Sequence, residues 1–222
     1  MHPSIISETH YRDANEGPIG SILWLHGIAD TVDIESLLPS WILNGMNLIM
    51  PKARARRLSA YQNRVLRAWY DVSGWVSKDL KLREIEAAKR EIEHLIQQEL
   101  DKGIPAENII LMGFSQGAAM AMTTALSSKY PLGGVACLSG YWIETEPHST
   151  KINTHPSIFI GHGSLDQTTP LAWCDYLRNR LAVLGVRCEV SIGEFNHRVD
   201  KLNFSHMLQW VGSLLNKLKS EN

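Results

Sequence analysis

Residues 109–122 read Ile-Ile-Leu-Met-Gly-Phe-Ser-Gln-Gly-Ala-Ala-Met-Ala-Met, and this stretch decides the fold. Its first four residues form an apolar run of strand length, and the residues after Gly117 are small and apolar, as at the start of a buried helix. Gly113 and Gly117 flank Ser115, and the absence of side chains there permits a sharp turn from strand to helix. Such a turn would hold the Ser115 hydroxyl above the end of the strand.

The pentapeptide 113–117 fits the G-x-S-x-G pattern of a nucleophile elbow, in which a strained turn exposes a serine at the top of an α/β-hydrolase sheet. Chance would place this pattern in a chain of 222 residues with a probability of about 0.05–0.1. The strand before it and the helix after it make the pattern far more specific. Ser115 is therefore the candidate nucleophile.

Apolar runs of strand length alternate with helical patterns along the whole chain. The predicted strands are 21–25, 47–50, 109–114, 134–138, 157–160 and 188–192, the second of them stopped by Pro51. Predicted helices, with apolar residues at three- and four-residue steps, cover about 80–100, 173–184 and 204–218. This alternation predicts the α/β class, with a mostly parallel central sheet and helices on both faces.

The sequence contains no internal repeat, linker or low-complexity segment, so residues 1–222 are expected to form a single α/β-hydrolase domain. Two stretches, 52–78 and 140–156, show neither periodicity and are predicted to be irregular. Long loops in a compact α/β domain often form the walls of a site.

Composition limits the classes of partner. With 22 Lys and Arg against 23 Asp and Glu, the chain lacks the general positive field that nucleic acid binding requires. The basic cluster within 52–57 is interpreted as a solvated loop, although it could also attract an anionic membrane or an acidic substrate. Three cysteines without paired spacing favour a reducing, cytoplasmic compartment. No secretion signal or membrane-spanning run is recognised, so stable membrane insertion is not expected.

A serine nucleophile needs a base that takes its proton and a third group that orients the base. In an α/β-hydrolase the acid and then the histidine follow the serine, in loops after later strands. Asp166 follows the predicted strand 157–160, and His197 follows the predicted strand 188–192. The sequence therefore predicts a catalytic triad of Ser115, Asp166 and His197.

Each of these assignments has an alternative. Asp166 could merely cap the helix that follows it, and Glu194 is a rival for the acid. His197 could be a surface loop residue, and His206 is then the rival base, but His206 falls inside the last predicted helix, where it could not reach the elbow. His162 is interpreted as a residue that packs or hydrogen-bonds locally.

Acyl transfer also needs hydrogen-bond donors for the oxyanion that develops on the carbonyl. The backbone N–H of Gln116, directly after the nucleophile, is one candidate donor. The N–H of Ile28, in the loop after the first predicted strand, is the second, although the preceding residues 26–27 could simply form a strand-ending turn. The nine histidines are scattered, without His-x-His or H-E-x-x-H spacing, so no metal site is expected.

Several segments resemble the acyl-protein thioesterase family, also called the phospholipase/carboxylesterase family of small α/β-hydrolases. The similarity extends from about residue 21 to 218 and rests on 25–31, 67–71, 109–117, 138–141, 161–170 and His197. The form Gly-Phe-Ser-Gln-Gly is much more specific than G-x-S-x-G, and Ala-Trp-Tyr-Asp at 68–71 supports it independently. The resemblance implies the same triad and oxyanion donors, and it implies that Trp69 lines the substrate pocket.

The resemblance further implies hydrolysis of carboxylic esters or thioesters through an acyl-enzyme, with no cofactor. Substrates would be short acyl esters, lysophospholipids or lipid-modified proteins. The alternatives are a lactone hydrolase, a peptidase, or a hydrolase-fold binding protein without turnover. Apolar residues of the two irregular stretches could form an acyl groove or be ordinary packing, namely Leu66 and Trp142 with Val65, Trp75 and Ile143.

The chain also departs from the family pattern. Ala29 and Val32 stand where the family usually has glycines. The dipeptide 168–169 is Thr-Thr, more polar than the usual apolar pair before proline, and Arg198 places a long cation beside His197. These departures bear on substrate choice and pH optimum more than on the type of reaction.

Overall fold

The computed structural model describes residues 4–15, 17–72, 82–143 and 154–221, with the side chains of the last helix described as far as residue 216. The strands are β1 (Ile6–Arg12), β2 (Gly20–Leu25), β3 (Met46–Ala53), β4 (Ala55–Leu58), β5 (Arg64–Arg67), β6 (Ile109–Phe114), β7 (Gly134–Leu138), β8 (Ser157–Gly163) and β9 (Cys188–Gly193). The α-helices are α1 (Ser40–Gly45), α2 (Leu82–Asp101), α3 (Gln116–Ser127), α4 (Leu171–Val183) and α5 (Lys201–Glu221).

Seven of these strands form one sheet in the order β1-β3-β2-β6-β7-β8-β9. Strand β1 runs antiparallel to β3, and every other neighbouring pair is parallel. Strands β4 and β5 form a separate antiparallel hairpin. Parallel neighbours need crossover connections, which the helices supply. The predicted α/β fold with a mostly parallel sheet is confirmed.

The apolar residues of the sheet divide between its two faces because successive side chains of a strand point in opposite directions. Leu23 and Leu111 pack with buried residues of α2, α3 and α4 on one face. Ile22 and Ile110 pack with buried residues of α1 and α5 on the other. The central strands are therefore apolar on both sides, which explains their continuous hydrophobic runs in the sequence.

The six predicted strands are present, and two of them extend three residues beyond their expected ends. Strand β8 continues to Gly163, and β3 continues through Pro51 to Ala53, so the prediction that Pro51 stops the strand was wrong. Pro51 faces Thr9 of β1, but it lies beyond Ile49, the last β3 residue paired with β2. At that point β3 is paired on one side only, where a missing N–H is tolerated.

Three strands were not predicted from the sequence, namely β1, β4 and β5. Strand β1 lies at the sheet edge and is largely exposed, so it lacks the hydrophobic run that marks a central strand. The β4–β5 hairpin falls within 52–78, which was expected to be irregular, and its strand residues include four arginines. The chain reverses next to Gln62 and Asn63, whose φ angles of 53° and 60° are left-handed. In the second irregular stretch, residues 144–153 lie outside the described residues.

A buried carboxylate joins the end of α2 to the sheet. The side chain of Glu99 is fully buried and accepts hydrogen bonds from Ser21 Oγ of β2 at 2.6 Å and Asn47 Nδ2 of β3 at 3.0 Å. Its second oxygen accepts from Lys102 Nζ at 2.6 Å. Burial opposes ionisation of Glu99, but these three hydrogen bonds outweigh it and lower its pKa.

Candidate active site

The turn at Ser115 has the geometry that the sequence predicts. Ser115 lies between β6 and α3 with φ of 54° and ψ of −119°, a conformation that L-residues rarely adopt. A Cβ on Gly117 would lie 2.0 Å from the carbonyl oxygen of Leu25, and a Cβ on Gly113 would lie 2.5 Å from the carbonyl carbon of Gly117. Glycine is therefore required on both sides of the turn, because the helix and β2 approach too closely for a side chain.

The three predicted triad side chains meet at the carboxyl ends of β6, β8 and β9. Ser115 Oγ lies 2.9 Å from His197 Nε2, and His197 Nδ1 lies 2.7 Å from Asp166 Oδ2. Ser115 can donate its proton to Nε2 while Nδ1–H donates to the carboxylate. The ring of Phe114 packs on the imidazole with a centroid separation of 4.8 Å. Three loops from distant parts of the sequence thus form one continuous hydrogen-bonded chain.

Asp166 is held in its ionised form. Burial favours its neutral form, but hydrogen bonds from His197 and Thr169 outweigh burial and lower the pKa of Asp166 to about 2. Its Oδ1 accepts from the backbone N–H groups of Thr168 and Thr169 at 2.9 and 2.8 Å. The carboxylate is therefore charged, buried and fixed in orientation beside the imidazole.

The rival residues have other surroundings. Helix α4 begins after Pro170 with no side-chain cap, so Asp166 does not cap it. Glu194 is exposed. His206 lies on α5 with its Nδ1 at 2.8 Å from Ser191 Oγ. His162 is fully buried with Nε2 donating to the Thr169 carbonyl at 2.8 Å, which agrees with the local role expected for it.

The two candidate oxyanion donors are the backbone N–H groups of Gln116 and Ile28. The N–H of Gln116 is the first of α3, where a helix has no internal acceptor for it. Within the described part of the chain, no hydrogen bond occupies the N–H of Ile28. The next residue, Ala29, has a left-handed φ of 71°, and its N–H donates to the carbonyl of Arg67 in β5 at 2.9 Å. The β4–β5 hairpin thereby holds the Ile28 loop in place.

The surroundings of Trp69 differ from those expected of a residue that lines the substrate pocket. Its side chain is fully buried, with Nε1 donating to the His26 carbonyl at 2.9 Å, so the ring offers no surface that a substrate could contact. The side chain of Gln116 accepts from the Trp69 N–H and donates to the Tyr70 carbonyl, each at 2.9 Å. Trp69 therefore belongs to the framework that supports the Ile28 loop and the start of α3.

The other predicted lining residues have different surroundings. Leu66 is half-buried in β5, next to the residue whose carbonyl binds Ala29, and its neighbour Val65 is 57% exposed. Trp142 is half-buried, with the Arg180 guanidinium 5.5 Å from its ring centroid. Two further candidates differ from these, since Ile143 is buried as ordinary packing and Trp75 lies outside the described residues.

Some contacts at the site were not foreseen from the sequence. Thr169 was singled out only as an unusually polar residue, yet its hydroxyl lies 2.9 Å from Asp166 Oδ2. The side chain of Gln116 was also missed, because the expected role involved its backbone alone. Arg198 lies 3.3 Å from Asp200, with its guanidinium directed at that carboxylate. In each case the sequence gives the residue type but not the partner.

Metal-binding clusters and membrane-spanning helices are both absent from the described residues. In the ranges given above, no group of three or more His, Cys, Asp or Glu side chains is arranged to hold a metal ion. None of the helices in that part of the chain is both long and apolar enough to cross a membrane.

The chain is similar in sequence and in structure to known hydrolases and thioesterases. The family model described as Phospholipase/Carboxylesterase matches residues 13–215. Acyl-protein thioesterase 1 of Saccharomyces cerevisiae is 31% identical over 166 residues, which cover 68% of this chain and 72% of the yeast protein. The crystal structure of Arabidopsis thaliana SOBER1 covers 88% of this chain and 99% of its own, with a TM-score of 0.76 and 25% identity.

A second solved structure supports the fold alone. Acyl-protein thioesterase 2 of Zea mays covers 94% of this chain and 99% of its own, with a TM-score of 0.75 and 21% identity. This structural match covers more of the chain than the sequence match to the yeast protein does. The chain therefore belongs to the phospholipase/carboxylesterase family of α/β-hydrolases and is a serine hydrolase of ester or thioester bonds.

Proposed function

We propose that Ser115 is the nucleophile of this hydrolase, His197 its general base and Asp166 the acid that orients the base. The observation that carries the proposal is the continuous hydrogen-bonded chain from Ser115 Oγ through both nitrogens of His197 to Asp166 Oδ2, with separations of 2.9 and 2.7 Å. A serine hydroxyl is a weak nucleophile until a neighbouring base accepts its proton.

In the first half-reaction, Ser115 Oγ bonds to the acyl carbon while its proton passes to His197 Nε2. The imidazolium is stabilised by the charge of Asp166, and it then donates the proton to the departing alcohol or thiol as the C–O or C–S bond breaks. The backbone N–H groups of Ile28 and Gln116 are the proposed donors to the oxyanion, in positions where removal of one donor typically costs about 10²–10³ in rate.

In the second half-reaction, water attacks the acyl-enzyme, and His197 accepts a proton from that water. The acyl carbon gains the hydroxyl group, the bond to Ser115 Oγ breaks, and Oγ recovers its proton from His197. The products are a carboxylic acid and the regenerated enzyme. The proposed residues supply every proton acceptor and donor in this cycle, so none of the steps calls on a cofactor.

The proposed substrates are acyl esters and thioesters, including a lipid-modified protein or a lysophospholipid. The half-buried apolar side chains of Leu66 and Trp142 are proposed to contact the acyl chain. The yeast relative is named an acyl-protein thioesterase, which favours an S-acylated protein. Three free cysteines, two of them buried, support a reducing, cytoplasmic location.

Turnover of p-nitrophenyl esters of increasing chain length, beside a thioester of matched chain, tests the proposal. We expect His197→Ala to lower kcat/KM by about 10³-fold or more, because Ser115 loses its base. His206→Ala is the matched control and should keep activity within about twofold of wild type. His206 is exposed, and its Nδ1 contacts Ser191 Oγ of β9 rather than a triad residue. Full activity in His197→Ala, or loss confined to His206→Ala, would reject the assignment of the base.

A further inference from the structure

Thr169 contacts both the acid and the base of the proposed triad. Its Oγ1 lies 2.9 Å from Asp166 Oδ2 and 3.4 Å from His197 Nδ1. The residue is fully buried, in the turn just before α4. Because the hydroxyl is out of contact with solvent, its hydrogen-bond partners are protein atoms.

The backbone of Thr169 is anchored on both sides. Its N–H donates to Asp166 Oδ1 at 2.8 Å, and its carbonyl accepts from His162 Nε2 at 2.8 Å. The carbonyl of His162 in turn accepts from Asn203 Nδ2 of α5 at 3.2 Å. These bonds tie the turn to β8 and to α5, so the position of the hydroxyl is set before a substrate binds.

The hydroxyl has one proton and two acceptors within reach. The carboxylate oxygen Asp166 Oδ2 lies at 2.9 Å, and the carbonyl oxygen of Ser139 lies at 3.1 Å. A hydrogen bond to an ionised acceptor is about twice as strong as one to a neutral acceptor. The Thr169 proton is therefore directed at Asp166 Oδ2, the same oxygen that accepts from His197 Nδ1.

We propose that Thr169 is a positioning residue for this triad, whose hydroxyl fixes the rotation of the Asp166 carboxylate and shares the oxygen that binds His197. The inference rests on the proposed function of the triad. With the backbone N–H on Oδ1 and the hydroxyl on Oδ2, both carboxylate oxygens are held from the Thr169 side. The second donor on Oδ2 also reduces the negative charge that faces the imidazole.

The other titratable groups around Asp166 and His197 do not contact the Thr169 hydroxyl, so its removal changes only the contacts of this hydroxyl. His162 approaches from β8, and burial lowers its pKa more than its bond to the Thr169 carbonyl raises it, so it is neutral near pH 7. Of the charged side chains nearby on α4 and on the His197 loop, Asp175 pairs with Arg178, Arg198 pairs with Asp200, and Glu194 is exposed to solvent.

Replacing Thr169 by valine tests the inference, because valine keeps the shape and removes the hydroxyl. We expect kcat for a p-nitrophenyl ester to fall about 3- to 10-fold with KM unchanged, because the net contribution of one typical hydrogen bond corresponds to a factor of that size. We also expect the acidic limb of the kcat/KM profile to move to higher pH by about half a unit to one unit. The direction of the shift follows because Asp166, with one donor fewer, stabilises the His197 imidazolium more strongly than in wild type. A higher pH is then needed to give the neutral base.

Two further variants separate positioning from packing. Thr169→Ser keeps the hydroxyl and should restore the wild-type pH profile. Thr124→Val makes the same chemical change at another fully buried threonine, whose hydroxyl has no partner within the described residues, and it should leave kcat and the profile unchanged. If Thr169→Val fails to fold, Thr169→Ala removes the same hydroxyl with less bulk and carries the same expectations.

The outcomes are distinct. A wild-type profile in Thr169→Val, or equal defects in Thr169→Val and Thr169→Ser, would overturn the positioning role while the triad stands. Failure of the wild-type protein to hydrolyse any of the esters or thioesters would instead overturn the proposed function and this inference with it. A shifted acidic limb that the serine variant reverses is the result that supports the inference.

Discussion

Asp166 accepts four hydrogen bonds, two on each carboxylate oxygen, and only one of them comes from His197. The other three come from residues within three positions of it in the sequence. A local turn therefore contributes most of the contacts that orient the acid. The hydrogen bond from His197 and these local donors together explain why a carboxylate that burial would neutralise remains ionised, with a pKa of about 2.

The Asp166→Asn variant isolates the charge of the acid from its position. An amide at this position would donate to His197 Nδ1 and leave the proton on Nε2, which could no longer accept from Ser115. We expect kcat to fall by about 10³–10⁴-fold with the fold intact. The control is Asp175→Asn, an exposed residue on α4. A kcat within about tenfold of wild type in Asp166→Asn would show that the charge has little part in turnover.

At this scale the sequence was informative about identities and silent about local partners. The contacts among Ser115, Asp166 and His197 could be predicted because chain order and strand ends constrain where these side chains fall. The contact between the Thr169 hydroxyl and Asp166 could not, because it depends on how a turn of three residues folds. The burial of Trp69 could not either, since an aromatic residue beside a motif is equally compatible with lining a pocket or supporting it.

The strand–turn–helix element from β6 to α3 depends on close approach of its backbone to β2. Gly117→Ala would place a methyl group 2.0 Å from the Leu25 carbonyl oxygen, and backbone cannot move aside as a flexible side chain can. We expect this variant to lose about 3 kcal/mol or more of unfolding free energy, or to fail to fold. Urea denaturation followed by circular dichroism measures the change.

Gly212→Ala provides the control for a glycine without such constraint. A Cβ on Gly212 in α5 would lie 3.8 Å from the ring of Trp41, an ordinary contact. Because alanine favours a helix interior over glycine, this variant should gain up to about 1 kcal/mol. Equal stability of the two alanine variants would contradict the close packing of α3 against β2.

Among the elements, the central strands and the edge strand β9 could be predicted, whereas the edge strand β1 and the β4–β5 hairpin could not. Strand β6 matches its predicted limits, 109–114, because both of its faces are buried and its whole sequence is apolar or glycine. The β4–β5 hairpin has no such run. Its arginines lie at a partly exposed surface, and two of them pair with distant acids, Arg56 with Glu84 at 2.9 Å and Arg67 with Glu8 at 3.0 Å. Local pattern carries no information on such partners.

The whole molecule is stabilised in part by the buried Glu99, whose three donors come from two strands and from the turn after α2. Because its pKa is lowered, the unfolded chain binds more protons than the folded one as pH falls through the ordinary glutamate range, so its stabilisation is present near neutral pH and decreases toward the folded-state pKa. Glu99→Gln is expected to cost about 1–3 kcal/mol near pH 7.

The dependence on pH distinguishes this contribution from simple packing. Denaturation of wild type and Glu99→Gln at about pH 7 and about pH 4 should give a difference in unfolding free energy that shrinks at the lower pH. The exposed Glu189→Gln provides the control and should show a smaller difference at both. A difference that stays constant or grows on acidification would contradict the charged state of Glu99.

The central claim for the whole molecule is that residues from three strand ends produce one nucleophile, Ser115. Intact-mass analysis and peptide mapping after reaction with a fluorophosphonate test it most directly. We predict one adduct, located on the peptide that contains Ser115, which Ser115→Ala abolishes and Ser213→Ala, on the exposed surface of α5, retains. An adduct on another residue, or none on the folded wild-type protein, would contradict it.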